Sequence, residues 1–394
     1  SDGRMRHAKS GTWWETAPQM ALANNSVSYT DKPDGETFLR EWTSLVESKS
    51  GERGIFNRIA AKKQAAKYGR RDSEHEFGTN PCSEIILRPY QFCNLTEVVI
   101  RADDTPASIE RKVELATIMG TIQSTFTNFP YLRKIWKTNT EEERLLGVSL
   151  TGIMDCKWTN GRGEKGFHLS EFLDNMRRKA VEANKKWAKL LDIPESKAIT
   201  CVKPSGTVSQ LVDSSSGIHA RHSPYYIRTV RGDNKDPLTL FLKEQGVPSE
   251  ADVMKPDTQT VFSFPMKSPT NAVTRHDMTA IEQLEMWLVY QRHWCEHKPS
   301  VTVTVRDDEW MEVGAFVFKH FDEMSGVSFL PHSEHTYQQA PYQDCTKDVY
   351  DKLSGEFTHI DWARLQDYEK EDTTNSSQTF ACSGDSCEIV DIGG

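Results

Sequence analysis

Four residues in one short stretch carry side chains that suit redox chemistry: Asn80, Cys82, Glu84 and Cys93. In an extended segment, side chains two residues apart share a face. The amide, the thiol and the carboxylate of the first three are therefore predicted to point into one pocket. A second thiol follows eleven residues after the first. Two thiols at one pocket can reduce a substrate and close to a disulfide. The stretch predicts a dithiol active site with a carboxylate beside it.

A second chemistry-bearing stretch begins after a predicted strand and is centred on a glycine. Glycine lets the backbone approach a ligand, and successive backbone N–H groups with nearby hydroxyls can hold phosphate oxygens. The Gly-Lys-Ser/Thr ending of a Walker A loop is missing. This stretch taken alone favours an ordinary strand-to-helix cap, whereas its position downstream of the cysteines favours phosphate binding. The predicted phosphate contacts are Pro204, Ser205, Gly206, Thr207 and Ser209.

A third stretch lies near the end of the chain, where Cys382 and Cys387 stand five residues apart among acidic and small polar residues. Such a segment buries too little apolar surface to pack, so it is predicted to be mobile. Two cysteines on it could reach a buried disulfide, exchange with it and return to solvent. The alternative is half of a zinc site, but no second Cys/His pair lies nearby to complete four ligands. We therefore predict a redox pair and no metal site.

The segments Asn80–Glu84 (Asn-Pro-Cys-Ser-Glu) and Phe92–Leu95 (Phe-Cys-Asn-Leu) together resemble the active-site loop of ribonucleotide reductases. The spacing of the two thiols is similar to that of the monomeric, adenosylcobalamin-dependent (class II) branch, whose members also end in a cysteine pair. The glycine-centred loop resembles the substrate-phosphate loop of the same family. The resemblance covers most of the chain, from about Asn24 to Cys387.

The resemblance implies a role for each residue of the cysteine loop. Cys82 becomes a thiyl radical that takes the 3′ hydrogen of a ribose, and Glu84 accepts the proton of the 3′-hydroxyl. Asn80 orients the ribose, and Cys93 delivers a proton and an electron as the 2′-hydroxyl leaves as water. Family members pair this second thiol with a cysteine from the first half of their barrel. No cysteine precedes Asn80 in this chain.

The implied function is reduction of ribonucleoside triphosphates to 2′-deoxyribonucleotides for DNA synthesis. Adenosylcobalamin is the implied cofactor, a thioredoxin-like protein the implied reductant, and the N-terminal half of the same enzyme the implied partner. An alternative of another class is a non-catalytic or complementing chain, which binds nucleotide or a partner half-barrel without turnover alone. A glycyl-radical enzyme is disfavoured, because the end at Asp391–Gly394 lacks the aromatic-flanked glycine expected there.

Strands that alternate with helices predict parallel β-α-β units and an α/β fold. The resemblance implies the ten-stranded α/β barrel of ribonucleotide reductases, with the cysteine loop threaded through its centre. This chain would supply the C-terminal, incomplete portion of that barrel. The predicted strands are Ser26–Tyr29, Leu146–Ile153, Ala198–Val202, Thr260–Phe264, Val301–Val305 and Gly326–Leu330.

Capping residues predict where several helices begin, namely at Asp34, Thr105 and Thr279. The helix after Thr105 carries apolar residues on two faces and is therefore expected to pack between other elements. A basic helix is expected to open at Gly54–Arg58 and to present its charges, through Arg71, on a solvated face.

Composition is that of a folded globular protein: 394 residues, 37% hydrophobic and 27% charged. The net charge of −9 argues against a nucleic-acid partner. No apolar run approaches the length of a membrane span, and no signal peptide opens the sequence. The eight cysteines do not form a small disulfide scaffold, which favours a cytoplasmic location.

Two regions are expected: a partial catalytic barrel over residues 1–365, and a flexible acidic tail with the redox pair over residues 366–394. The chain begins with Ser1, and its first stretch already resembles the middle of a domain. We expect the C-terminal part of a longer enzyme. A split gene product, a truncated form and a segment released from an intein all remain open.

Overall fold

The computed structural model describes residues 3–9, 16–17, 19–20, 26–48, 53–332, 338–357 and 360–370. Its strands within these ranges are β1 (Ser26–Tyr29), β2 (Gly54–Asn57), β3 (Gly78–Thr79), β4 (Ile86–Leu87), β5 (Asn94–Val99), β6 (Leu146–Thr151), β7 (Tyr225–Asp233), β8 (Ser249–Ala251), β9 (Gln259–Lys267), β10 (Thr302–Val305), β11 (Gly326–Pro331) and β12 (Tyr342–Asp344). Its helices are α1 (Gly3–Arg6), α2 (Gly35–Ser48), α3 (Arg58–Ala66), α4 (Pro106–Gln123), α5 (Lys134–Glu143), α6 (Leu169–Leu190), α7 (Gly206–Leu211), α8 (Pro237–Glu244), α9 (Ala280–His293), α10 (Trp310–Lys319) and α11 (Lys347–Glu356).

A run of parallel strands forms the centre of the molecule. β5 pairs with β6, and Val148 of β6 forms a parallel bridge to Thr200. Val202 bridges in the same direction to Pro299, just before β10, and β10 pairs with β11. β11 then pairs antiparallel with β2, which pairs parallel with β1. The predicted strand Ala198–Val202 is therefore present as a bridging segment, and β5 forms one end of the run.

The burial of the central strands agrees with their parallel arrangement. Every residue of β6 is buried, as is usual for strands covered on both faces. Helix α4 begins at a capping box between Thr105 and Ser108, as the sequence predicted, and turns Ile109 and Val113 into the core. The expectation that α4 packs on two sides is wrong for the described part of the chain, because its opposite face, including Met119, is exposed.

The basic segment differs from its prediction in two ways. Gly54–Asn57 is a buried strand, and the helix begins only at Arg58, capped by the Asn57 side chain. Ile55 and its neighbours pair with strands on both sides, and such pairing cannot be read from local sequence. Arg70 and Arg71 lie beyond the helix and form ion pairs with Glu296 and Glu143 instead of facing solvent.

A second, antiparallel sheet with the order β12-β7-β9-β8 lies beside the central strands. The chain then forms a short 3-10 helix over Trp362–Asp367, and Tyr368 packs edge-on against Phe241 of α8. The described chain therefore remains packed for a few residues past the expected boundary at 365. Within the described ranges, no helix has the length and hydropathy of a transmembrane segment.

Candidate active site

The predicted cysteine loop is the connection of a small hairpin. β3 and β4 pair antiparallel through Gly78 with Leu87 and Thr79 with Ile86. The extended geometry expected between them is wrong, because the Ser83 N–H donates to the Asn80 carbonyl at 2.9 Å and Ser83 has a φ of 66°. The loop is a tight turn. Loop closure and contacts from distant strands, rather than side-chain alternation, position its functional groups.

Asn80 and Cys82 are each fixed in this turn by a hydrogen bond that involves a backbone group. The Asn80 side-chain oxygen accepts a hydrogen bond from the Ile85 N–H at 3.0 Å. The Cys82 carbonyl accepts one from the Ser300 hydroxyl at 2.6 Å, which ties the loop to the segment that leads into β10. Burial raises the pKa of the half-buried Cys82 thiol. The sulfur therefore keeps its proton near neutral pH, as hydrogen-atom chemistry at an S–H bond requires.

Glu84 is fully buried next to this thiol. One carboxylate oxygen, Oε1, lies 3.4 Å from the ammonium of Lys203. The other, Oε2, is buried and has no hydrogen-bond partner within the described part of the chain. A buried acceptor without a donor costs free energy, so Oε2 marks a position that a ligand donor can fill.

Two lysines that the sequence analysis did not select surround the carboxylate. Lys203 contacts Glu84, and its positive charge lowers the pKa of the Cys82 thiol against the effect of burial. Burial alone would lower the pKa of Lys203, but Glu84 and Cys82 raise it above the usual range. Lys298 is fully buried and donates to the Ser83 carbonyl and, at 3.1 Å, to the Ser83 hydroxyl. Burial lowers the pKa of Lys298 to about 8.

Cys93 immediately precedes β5 and is a free thiol. Burial raises the pKa of this thiol, and the nearby Glu84 carboxylate acts in the same direction. The hairpin and β5 therefore bring both predicted thiols into the electrostatic field of one carboxylate. Cys156, Cys201 and Cys295 are buried free thiols of the core.

The predicted phosphate loop connects the bridging segment to α7, which begins at Gly206. Ser205 has a φ of 55° and donates its hydroxyl proton to Glu97 on β5. The hydroxyl of Ser209 donates to the Gly206 carbonyl at 3.3 Å, while Thr207 is exposed. Of the three predicted hydroxyls, the one on Thr207 is therefore directed to solvent in this conformation.

Glu97 is a second carboxyl group near the site, and the sequence analysis did not select it. It is largely buried and accepts hydrogen bonds from Ser205 and, at 3.3 Å, from Ser149. Burial raises the pKa of this carboxyl group, whereas the two hydroxyls and Lys203 lower it. The available signal was a glutamate within a strand of otherwise mostly apolar residues.

A buried ion pair fixes the loop that faces α7. Arg221 forms two 2.8 Å hydrogen bonds with Asp155, and Asp155 also accepts one from the Ser215 N–H at 2.8 Å. Gly217 follows with a φ of 56°, and a Cβ at this position would lie 2.4 Å from the Lys203 carbonyl. Only glycine fits here, because the backbone of this loop touches the residue that contacts Glu84.

A cavity of about 260 Å³ opens between this loop and the strands β10 and β11. One wall carries polar groups, including Ser214, whose hydroxyl is buried without a partner among the described residues. His219 accepts a hydrogen bond from the Thr302 N–H at 3.0 Å through Nε2. The opposite wall includes Leu330. The cavity suits part of a ligand that carries hydrogen-bonding groups on an apolar frame.

His297 connects the hairpin of β3 and β4 to the central strands through two hydrogen bonds. Its Nδ1 accepts from the Ile86 N–H at 3.3 Å and its Nε2 donates to the Leu146 carbonyl at 2.9 Å. Complete burial lowers the pKa of His297 to about 3. The ring is therefore neutral in the folded chain. Its two ring nitrogens are both used in hydrogen bonds that join the hairpin to β6.

This buried histidine predicts acid sensitivity. The folded pKa lies below the ordinary 6.5, so the unfolded chain takes up the proton first and stability falls as pH drops from about 6.5 toward 3. From pH 7 to 5 the loss due to His297 is expected to be about 2 kcal/mol. Urea unfolding at both pH values measures it. His297→Gln should be less stable at pH 7 but lose less between the two values. An equal loss in both proteins would contradict the assignment.

The redox pair Cys382 and Cys387 lies outside the described residues, as does most of the predicted tail.

Searches with the sequence return relatives of one kind. No protein-family model matches the chain. The adenosylcobalamin-dependent ribonucleoside-triphosphate reductase of Lactobacillus delbrueckii subsp. bulgaricus is 29% identical over 342 residues, covering 78% of this chain and 45% of the relative. A probable enzyme of the same name from Dictyostelium discoideum is 28% identical over 320 residues, covering 79% and 40%.

A comparison with solved structures finds a similar protein. The crystal structure of a B12-dependent (class II) ribonucleotide reductase matches with a TM-score of 0.76 and 25% identity, over 91% of this chain and 53% of the other. The predicted α/β fold class is confirmed by this match. The chain spans about half the length of the relatives it matches.

Proposed function

The chain is related by sequence and by fold to the adenosylcobalamin-dependent (class II) ribonucleotide reductases, and we propose that it carries the thiol-bearing half of a ribonucleoside-triphosphate reductase. The observation that carries this proposal is the unpartnered Oε2 of Glu84, buried beside the Cys82 thiol. A sugar hydroxyl that donates to this oxygen would bring its own carbon to the sulfur. The product would be a 2′-deoxyribonucleotide for DNA synthesis.

The roles of the loop follow from these contacts. Cys82, held as a thiol by burial, would form the thiyl radical that takes the 3′ hydrogen of the ribose. Glu84 would accept the 3′-hydroxyl proton through Oε2. Asn80 would orient the ribose through its amide nitrogen, because its oxygen is bonded to the Ile85 N–H. Cys93 would deliver a proton and an electron as the 2′-hydroxyl leaves as water.

Adenosylcobalamin would supply, by homolysis of its carbon–cobalt bond, the radical that oxidises the Cys82 thiol. The polar side chains that line the cavity between the Ser214–Gly217 loop and strands β10 and β11 suit one edge of such a cofactor. Ser214 offers a buried hydroxyl without a partner in the described ranges, and Gln283 an amide, opposite the apolar Leu330. At about 260 Å³ the cavity is smaller than a typical site for a small organic ligand, so this chain would hold only part of the cofactor.

The phosphate groups of the substrate would bind at the start of α7. Ser205 and Ser209 are bonded within the protein, so Gly206, Pro204 and the Thr207 hydroxyl would form the contact surface. Thr207→Val keeps the side-chain shape and removes this hydroxyl. We expect nucleotide affinity to fall about tenfold, since a hydrogen bond to a charged group contributes about 1.5–3 kcal/mol. Equilibrium dialysis measures the affinity. The control, Thr138→Val on the exposed surface of α5, should leave it unchanged; equal affinities in both variants would contradict the assignment.

The isolated chain would be an incomplete enzyme. It spans about half of its relatives' length, and no cysteine precedes Asn80 to pair with Cys93. Within the described ranges β5 pairs only with β6, and the neighbouring face of α4 exposes Leu115 and Met119. The N-terminal half of the enzyme would cover this edge. The six described cysteines are all free, which supports a reducing compartment such as the cytoplasm.

A reduction assay separates catalysis from the alternative, a complementing chain that binds nucleotide without turnover. The chain is assayed with adenosylcobalamin, CTP and a small dithiol, alone and after joining to the N-terminal half of a class II relative. We expect 2′-deoxyribonucleotide from the joined protein and none from the chain alone. Nucleotide binding without any product from the joined protein would favour the non-catalytic alternative.

A further inference from the structure

We propose that Lys203 is a further catalytic residue, whose ammonium stabilises the negative charge that develops on the ribose 3′-oxygen when Glu84 removes its proton. The inference rests on the proposed function. It assigns to Lys203 a role that differs from those of the loop residues.

The position of the ammonium group carries this inference. Lys203 Nζ lies 3.4 Å from Glu84 Oε1, and its positive charge acts on the Cys82 thiol, whose pKa it lowers against the effect of burial. These are the two groups that would act on one C–O unit of the sugar: the sulfur on the hydrogen of C3′ and the carboxylate on the proton of O3′. A ribose that reaches both groups places O3′ close to the cation beside Glu84 Oε1.

A purely structural role is already filled by another residue. Lys298 is fully buried and holds the turn through the carbonyl and hydroxyl of Ser83. The Lys203 side chain, in contrast, is 29% exposed, while Glu84 is 0% exposed. Lys203 is therefore the cation on the accessible side of the carboxylate. The charged or titratable groups around it are Cys82, Glu84 and Glu97.

The proposed step balances without a further reactant. The hydrogen atom of C3′ moves to the Cys82 sulfur, which restores the S–H bond, and the proton of O3′ moves to Glu84. The unpaired electron stays on the sugar, and negative charge develops on O3′. Lys203 donates a hydrogen bond to that oxygen and keeps its proton throughout. A fixed donor aimed at developing charge is among the largest contributions that side chains make to catalysis.

Lys203→Met and Lys203→Arg test this role in the chain joined to its N-terminal half, with CTP as substrate. We expect Lys203→Met to lower kcat about 10²–10³-fold with little change in KM, the usual effect of removing one such donor. Lys203→Arg, which keeps the charge, should retain at least about tenfold more activity. The matched control Lys197→Met changes an exposed lysine six residues away and should behave as wild type. A kcat of Lys203→Met within threefold of wild type would overturn the proposal, as would equal losses in the two Lys203 variants.

A second measurement needs neither turnover nor cofactor. The rate at which iodoacetamide alkylates Cys82 is followed by mass spectrometry of its peptide, at several pH values, in the 394-residue chain. Removing the Lys203 charge should disfavour the thiolate and slow alkylation at pH 8 at least about threefold, while Lys197→Met has no effect. An unchanged rate would show that Lys203 does not act on the sulfur and would overturn the proposal. A wild-type joined protein that makes no product, with alkylation slowed as expected, would instead contradict the proposed function.

Discussion

Cys82→Ser is expected to abolish ribonucleotide reduction while leaving nucleotide binding intact. Serine keeps the shape of the side chain, but its O–H bond is too strong to serve in place of the S–H bond that the proposed radical step uses. In the chain joined to its N-terminal half, turnover should fall by at least about 10⁴-fold, the scale seen when an essential reacting group is removed. Equilibrium dialysis should give a nucleotide affinity within about twofold of wild type.

The chain offers a control for this variant. Cys345 is a half-buried free thiol that follows β12, away from the cysteine hairpin. Cys345→Ser makes the same chemical change and should retain full turnover. Reduction by Cys82→Ser at a rate near that of the control would remove Cys82 from its proposed role.

The tail cysteines are expected to decide which reductant can sustain turnover. Cys93 is only partly exposed in the folded chain, so we expect a small dithiol to reach a disulfide formed there more readily than a folded thioredoxin-like protein. We propose that Cys382 and Cys387 carry reducing equivalents between that protein and the disulfide. A Cys382→Ser, Cys387→Ser double variant should complete about one turnover per site with thioredoxin and then stall.

The same variant supplies its own rescue test. A small dithiol should restore repeated turnover, because the chemistry at Cys82 is untouched. The matched control changes Ser383 and Ser386 to alanine in the same segment and should behave as wild type with either reductant. Time courses of product formation give the result. Sustained turnover of the double cysteine variant with thioredoxin alone would show that the tail pair is dispensable.

Local sequence predicted those features of the fold that depend on local interactions. The capping boxes at Thr105 and Thr279 involve residues three positions apart, and both helices begin where predicted. The strand at Gly54–Asn57 was predicted as the opening of a helix, because its identity depends on pairing with β1 and with β11, far away in the chain. Nothing within a few residues of Gly54 carries that information.

The residues of the proposed site show the same difference between local and long-range interactions. The two thiols and the carboxylate of the proposed site are predicted from the sequence, because their types and spacing form a motif within fourteen residues. The sequence did not predict the roles of three charged residues, Lys203, Lys298 and Glu97. A charged residue is expected to be exposed to solvent unless its partner in the fold is known. Each becomes a site residue only when folding brings it to a group more than a hundred residues away. The turn at Ser83 was also missed, since its left-handed backbone conformation follows from closure of the hairpin.

The unpaired side of β5 has a consequence for handling the protein. In the described chain this strand pairs only with β6, and exposed apolar side chains such as Met119 and Phe126 lie on the helix and turn that follow it. An open strand edge with apolar flanks is a template for association with another copy. Without a partner that covers this edge, the chain should therefore self-associate as its concentration rises, and its apparent stability should depend on concentration. Expression together with the proposed N-terminal half would compete with that association from the moment of synthesis.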